Sequence, residues 1–355
     1  VQSPNLTLDH KMLAPPGKAR TALDRAFSKV LRDERDLPVL RLFALMTVSL
    51  LPAVVCSYLV GTPPWWWLLA VFVLAQYFTA PYILALHVSS HRGIFRREYR
   101  WLQGFVVWVL GPLVGQTPET YKAHHMGMHH TEENLEGDLS STMPYQRDRF
   151  GHWLHYLARF LFLIFPELSA YMLSRRRYRL VRRLWAGELG YLAVVIGLLF
   201  LNWQVTLWVF VVRLFVTRLA LMAGNWTQHA FIDPKDPASP YKSCLTLIDT
   251  PYNRMCFNDG FHVGHHIKPN RHWSEMPDDF LRNLDRYAEE RAVVIRGLDY
   301  FHLWLLLMLK QHQKIAQHLV VWPGMDDSLE GRVAWLKSRL RPVKREAPGS
   351  APVTV

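Results

Sequence analysis

Cysteine is nearly missing from this chain, with only Cys56, Cys244 and Cys256 among 355 residues. Three is an odd number and the spacing fits no metal motif. A disulfide framework and a cysteine zinc site are therefore not expected, and all three thiols suit a reducing cytosol. Acidic residues are also in short supply, 29 against 41 basic ones, which leaves a net charge of +12. No internal repeat is present. The polar, basic first 35 residues lack the apolar run of a cleavable signal peptide, so none is expected.

Apolar residues, by contrast, make up half of the chain and are gathered into long blocks. Leu42 to Val60 and Trp65 to Leu86 contain no charge, and each approaches the roughly 20 residues that span a bilayer core. The short break Gly61 to Pro64 makes them an antiparallel hairpin, and Trp65, Trp66 and Trp67 place its turn in the headgroup layer. Leu184 to Leu201 and Val205 to Gly224, parted by the polar notch Asn202 to Gln204, read as a second hairpin. Read as one continuous span, Leu189 to Val212 is also long enough. The hairpin has one point in its favour. Glu188 and Arg218 lie at similar distances on either side of the notch, so antiparallel helices bring them to one depth. An unpaired charge there costs about 2.5–3.5 kcal/mol. Arg213 has no such partner in the sequence and is expected to face other protein groups or water.

The positive charge flanks these blocks. Lys18, Arg20, Arg25, Lys29, Arg32 and Arg35 precede the first, Arg92, Arg96, Arg97 and Arg100 follow the second, and SRRRYRLVRR (174–183) precedes the third; both hairpin turns are uncharged. By the positive-inside rule the termini and the large middle segment are cytoplasmic. The basic balance then belongs to the cytosolic face, where it attracts anionic lipid or an acidic partner, and gives no argument for nucleic acid. Two further apolar stretches are expected to lie in the interface. Trp101 to Gln116 is too short to span, and Trp153 to Leu173 carries His155, Arg159, Pro166 and Glu167.

Ten of the 17 histidines fall in four groups: HVSSH (His87, His91), HHMGMHH (His124, His125, His129, His130), NWTQH (Asn225, His229) and HVGHH (His262, His265, His266). Residues three or four apart share a helix face, so His87 and His91 present adjacent imidazoles, as Asn225 and His229 present adjacent polar groups. His265 and His266 both reach back to His262, yet diverge by about 100 degrees around a helix, so the doublet can serve two metals. His87 begins where the second apolar block ends and Asn225 where the fourth ends, so two hairpins deliver both to one face. An isolated histidine pair is usually an ordinary core or surface pair. Four groups converging on one membrane face point instead to a metal site. A structural zinc takes four ligands, whereas nine histidines supply four or five to each of two octahedral ions.

HxxxH, HxxxHH, NxxxH and HxxHH, in this order around two membrane hairpins, resemble the membrane fatty acid desaturase and hydroxylase superfamily, over roughly residues 38–290. The resemblance implies a di-iron centre held by His87, His91, His125, His129, His130, His229, His262, His265 and His266, with Asn225 near one iron and His124 as the alternative to His125. It also implies O2 as co-substrate and an external reductant. Acyl-CoA desaturases usually have four residues between the first two histidines and HxxHH in the second box. The gaps of three found here occur also in hydroxylases and in a relative that converts fatty acids to terminal alkenes.

The expected function is therefore O2-dependent oxidation of the aliphatic chain of a fatty acid or fatty acyl substrate, first desaturation, alternatively decarboxylation to a terminal alkene or hydroxylation. A haem-binding membrane cytochrome and a zinc-dependent membrane hydrolase are the remote alternatives. Glu133, Glu136 and Asp138 are candidates to orient ligand imidazoles, and Lys268, Arg271 and His272 to meet a substrate head group or electron carrier; Arg213 is a further candidate for the head group. No HPGG-like motif of a fused haem domain is present, so a separate ferredoxin or cytochrome with its reductase is the expected donor, and a bacterial inner membrane the expected location, with the active site on the cytoplasmic face.

The expected fold is an all-α integral membrane protein, with about four transmembrane helices in two hairpins, interfacial helices, and a cytosolic helical cap carrying the histidine boxes. The expected divisions are a cytosolic segment 1–37, a desaturase-like domain 38–290, a helical segment 291–341 and a disordered tail 342–355.

Overall fold

A computed structural model describes Thr7, Asp9 and residues 21–343. Most of the expected tail, and the part of the N-terminal segment that holds Lys18 and Arg20, lie outside the described residues. Two long helices, α1 (Leu37–Leu59) and α2 (Trp65–Arg92), form the first hairpin, and Pro64 starts α2 with extended backbone. Further on come α3 (Phe150–Ser174), α4 (Tyr178–Leu201) and α5 (Trp203–Gln228). The outward faces of the hairpins are apolar: Val48, Leu59 and Phe200 are 71, 79 and 89 % exposed. Side chains of this kind, arrayed along helices whose own backbone groups are satisfied internally, suit a lipid surround. The chain is an all-α integral membrane protein.

The second hairpin is real, and the single-span alternative falls away. The Asn202 side chain accepts from the Val205 amide at 3.1 Å and so caps α5. Its own amide donates to the Gly61 carbonyl, tying the two uncharged turns together at one end of the bundle. At the other depth Arg218 meets Glu188 at 3.0 Å, as the antiparallel arrangement requires. Thr117 and Thr120 each donate to the same carboxylate at 2.7 Å. Arg213 is fully buried, donates to Thr79 and lies over the Phe72 ring at 4.9 Å, so it faces protein groups.

Among the described residues five helices are long and apolar enough to cross a membrane, one more than the sequence predicts. The addition is α3, and its contacts keep it on the histidine side. Near its start Tyr156 donates to the Ser140 carbonyl at 3.2 Å; near its end Tyr171 donates to Glu132 at 2.5 Å and Arg175 pairs with Glu132 at 2.7 Å. Both ends are thus bonded to the segment following the second histidine box. Parity agrees: a third crossing between His130 and His229 would put them on opposite faces, and they lie in adjoining clusters. α3 therefore lies across the bundle, with Phe162 and Leu163 turned outward.

The Trp101 to Gln116 stretch also returns to the histidine side, but it does not lie flat. Trp101–Phe105 continues through a π-helical turn, Val106–Leu110, to Gly111–Leu113. This piece descends into the bundle, where the Val106 carbonyl accepts from Tyr82 at 2.8 Å and the Val114 carbonyl from Thr217 at 2.5 Å. The chain turns back at Gly115, whose φ of 77° and close approach to the Arg213 backbone leave no room for a Cβ. It is a re-entrant loop, tolerated at that depth because protein surrounds it.

The cap contains two elements absent from the sequence reading, the parallel strands β1 (Leu245–Ile248) and β2 (Val293–Arg296), paired in register from Leu245 with Val293 to Ile248 with Arg296. Helix α6 (His262–Ile267) packs beside β1. Arg147, fully buried, fastens the cap. Its guanidinium donates to the carbonyls of Thr142, Met143, Tyr145, Ala230, Arg339 and Arg341.

Candidate metal centre

The end of α2 supplies His87 and His91, the end of α5 leads to His229, and α6 supplies His262, His265 and His266. The second box rides on a helix whose middle, His125–His129, is π-helical. That wider turn brings His130, five residues on, against His125 with their Nε2 atoms 3.0 Å apart, and sends His129 elsewhere. The outcome is two adjoining groups: His87, His91, His125, His130 and His265, and His129, His229, His262 and His266. Within each group the nearest nitrogens all lie within 4.8 Å of one another. The HH doublets of boxes two and three are both split between the groups, as the divergence of neighbouring side chains on a helix requires.

The Nε2 atoms converge. His87 meets His265 at 3.0 Å, His91 meets His125 at 3.1 Å, His265 meets His130 at 2.9 Å, and His262 meets His266 at 3.1 Å and His229 at 3.3 Å. On several rings the opposite nitrogen is held by an acceptor. Nδ1 of His129 donates to Asp138 at 2.7 Å, Nδ1 of His229 to the Ser243 carbonyl at 3.1 Å, and Nδ1 of His87 lies 3.2 Å from Asp259. Acceptors at Nδ1 put the proton there and leave Nε2 as a bare lone pair. Burial first, then the neighbouring imidazoles, drives His125, His130, His262, His265 and His266 far below the usual histidine range, while burial first holds His229 at about 3. Neutral rings with lone pairs facing each other repel unless a cation sits between them. The donor set fits two metal ions.

His125, not His124, joins a group. His124 stands just outside, its ring parallel to His129 at 6.4 Å between centroids. Asn225 donates to Ser140 at 3.1 Å and to the Tyr156 oxygen at 2.7 Å. Asp138 is buried and accepts from Asn134 N, Ser140 N and Ser140 Oγ besides His129. Burial works against its ionisation, but His129 and the Ser140 hydrogen bonds outweigh that and hold the carboxyl below its usual range.

Glu133 is half-buried in the left-handed turn that ends the box (φ 49°), with burial pushing its carboxyl up, and Glu136 is exposed. Three expectations shift. Lys268 is exposed; Arg271 pairs with Asp279 at 2.7 Å and donates to Gly264 at 3.1 Å; His272 lies 3.2 Å from Asp36. None of the three lines the large cavity. Sequence reasoning missed Asp259, which receives Tyr252 at 2.8 Å and Gln228 at 3.1 Å beside His87. Its place three residues before His262 was the available signal.

A cavity of about 570 Å³ adjoins both groups, touching His87, His125, His129 and His262. It runs inward between α2, α5 and the re-entrant turn past Leu84, Ile83 and Ala80 to Gln76 and Thr79. From His87 to Gln76 is about 16 Å of helix at roughly 1.5 Å per residue. Extended alkyl carbons advance about 1.25 Å each, given C–C bonds near 1.5 Å, so about a dozen methylene groups fit this length.

A membrane-embedded helical bundle with clustered imidazoles at one end and an apolar shaft beneath them is the class that fold and site define. The fatty acid desaturase family model matches residues 63–298, and the chain belongs to that family. Set against curated proteins, the chain matches none. Membership makes it an oxidoreductase of fatty acids in a lipid environment.

Proposed function

We propose that the protein carries out O2-dependent desaturation of a fatty acid or fatty acyl chain at a di-iron centre held by the nine histidines. The observation that supports this most is the pair of adjoining histidine groups opening directly onto an apolar shaft. Iron bound there supplies O2 activation and hydrogen removal from an unactivated C–H bond. The chain's residues do the rest. Imidazoles of both groups offer Nε2 lone pairs; Asp138, Asp259 and the Ser243 carbonyl fix their tautomers; the shaft holds the alkyl chain and excludes water. The balance is closed when two hydrogens leave adjacent carbons and O2 becomes two waters, with two further electrons from an external reductant and two protons from solvent. A separate ferredoxin or cytochrome is that donor, and the basic end of the bundle faces the cytoplasm of a bacterial inner membrane. Asn225, held by Ser140 and Tyr156, would lie in the surround of a bound iron, and Asp138 and Glu133 flank the second box.

A second reading, attack next to the carboxyl end with loss of CO2 to a terminal alkene, gains from one observation, the idle nitrogen of His124 in the cavity wall. Cells expressing wild type or His265→Ala/His266→Ala, fed deuterated C12 to C18 acids, separate the outcomes by gas chromatography with mass detection of lipids and headspace. An internal double bond lost in the variant supports desaturation. A volatile alkene one carbon shorter than the acid moves the assignment to decarboxylation, a hydroxy acid moves it to hydroxylation, and identical products from both proteins sink the proposal.

A further inference from the structure

One polar group in the cavity wall stands without a partner. His124 lines the cavity, its Nε2 is buried, and that nitrogen has no hydrogen-bond partner. The ring is fixed from two sides, parallel to His129 and edge-on to Phe160 at 5.6 Å between centroids. It thus stands beside the second histidine group without belonging to it. Buried polar atoms without partners are costly, and native proteins keep them where a ligand or water completes the bond.

The surroundings narrow the choice. Most other polar wall residues near the histidines are already engaged, Tyr252 and Gln228 with Asp259 and Asn225 with Ser140 and Tyr156, while Tyr121 lies stacked on His125. The cation in the described wall, Arg218, is paired with Glu188 away from the histidines, and Lys268 and Arg271 do not reach the cavity. The wall between His124 and the far end is formed largely by Ile83, Leu84, Ile164, Leu221 and Met222. A lone hydrogen-bonding nitrogen at the top of an apolar shaft matches a molecule with one polar end and a long hydrocarbon tail.

We propose that His124 Nε2 donates a hydrogen bond to the oxygen of a carbonyl or carboxylate at the head of the chain. The head then sits beside the histidine groups, the tail fills the shaft, and the carbons nearest the head lie closest to the metal centre. This rests on the reading that the cavity holds an aliphatic chain. His124 is thereby a specificity-determining residue: it selects chains with an oxygenated head over bare alkanes and sets which carbons are presented.

The test is binding of tritiated palmitate and of hexadecane to the full-length, metal-loaded protein in lipid nanodiscs without oxygen. Wild type, His124→Phe and His124→Gln are compared, with metal content measured on each sample. Phenylalanine keeps the ring and removes both nitrogens; glutamine restores a donor. The expected result is palmitate affinity lowered about tenfold in His124→Phe, the scale of one lost hydrogen bond to such an acceptor, with hexadecane within about twofold and most of the loss recovered in His124→Gln. With oxygen and reductant added, the oxidised position in His124→Phe moves away from the head.

Equal effects on both ligands, or no effect, overturn the proposal, and so does loss of metal from His124→Phe, which makes His124 a ligand. Head-selective binding in a wild type that forms no O2-dependent product upholds the role of His124 and overturns the oxidation reading instead.

Discussion

Replacing Asp138 by asparagine removes one charge and keeps the shape. The carboxylate now receives four donors: His129 Nδ1 at 2.7 Å, the Ser140 amide and hydroxyl at 2.7 Å each, and the Asn134 amide at 3.0 Å. An asparagine offers one oxygen, so its amide nitrogen must face a donor on the other side. Either His129 Nδ1–H or the backbone loses its acceptor, and the ring is free to change tautomer or turn. Partners of this kind are worth about 10- to 100-fold in metal affinity, or roughly 1.4–2.8 kcal/mol at 1.4 kcal/mol per tenfold.

Because His129 belongs to the group with His229, His262 and His266, the loss should fall on one of the two ions. Dialysis against a graded chelator series, with metal counted by mass spectrometry, is expected to show two release steps in Asp138→Asn, the weaker ion leaving first at 10- to 100-fold lower chelator strength. Asp259→Asn, acting through His87, should weaken the other ion. Coincident release of both ions at wild-type chelator strength would refute the tautomer argument.

Other outcomes follow from the packing. Arg147→Met strands six carbonyls that one guanidinium now satisfies. It should destabilise the cap by about 2–4 kcal/mol, visible as a Tm several degrees lower in detergent; an unchanged Tm contradicts it. Arg218→Met alone leaves the half-buried Glu188 with only Thr117 and Thr120, and should be more damaging than Arg218→Met/Glu188→Gln together. Additive losses in thermal unfolding argue against the pair. Ala80→Phe, placed part-way down the shaft, should shift product formation toward shorter chains in a C12 to C18 competition, and an unaltered chain-length profile denies that the shaft holds the tail. Arg35 hydrogen bonds hold the Asp33 carboxyl down at about 2. Its stabilisation, under about 1 kcal/mol after solvent screening, is complete above its unfolded range near pH 4 and lost as pH falls through 2. Asp33→Asn should flatten that part of an acid unfolding curve.

The legible parts of the fold were those written in charge and spacing. Two uncharged turns gave two hairpins, and the symmetric placement of Glu188 and Arg218 about the notch anticipated their ion pair. The i, i+3 and i, i+4 spacings, together with the doublet that adds His130, marked all nine histidines that now converge. What stayed hidden depended on tertiary partners. Apolar content makes Phe150–Ser174 look like a span, and although His155, Arg159, Pro166 and Glu167 pointed to an interfacial helix, its docking across the bundle rests on its bonds to Ser140 and Glu132. The descent of the 101–116 stretch depends on Tyr82 and Thr217 donating to its Val106 and Val114 carbonyls. The π turn in the second box exchanges His130 for His129 beside His125, a change no helical wheel contains. Lys268 and Arg271 were near the third box in sequence, yet one faces outward and the other is taken by Asp279. The strands Leu245–Ile248 and Val293–Arg296 are short and far apart in the chain, so neither period nor turn signals exposed their pairing.

The proposed two-iron centre divides five to four between the histidine groups. Its most direct test is iron per chain in protein purified from iron-replete cells, for wild type, His91→Ala and His266→Ala. Two irons in the wild type, falling to about one in each variant with the helical content intact, is the result expected. One zinc per chain, or iron content indifferent to both substitutions, contradicts it.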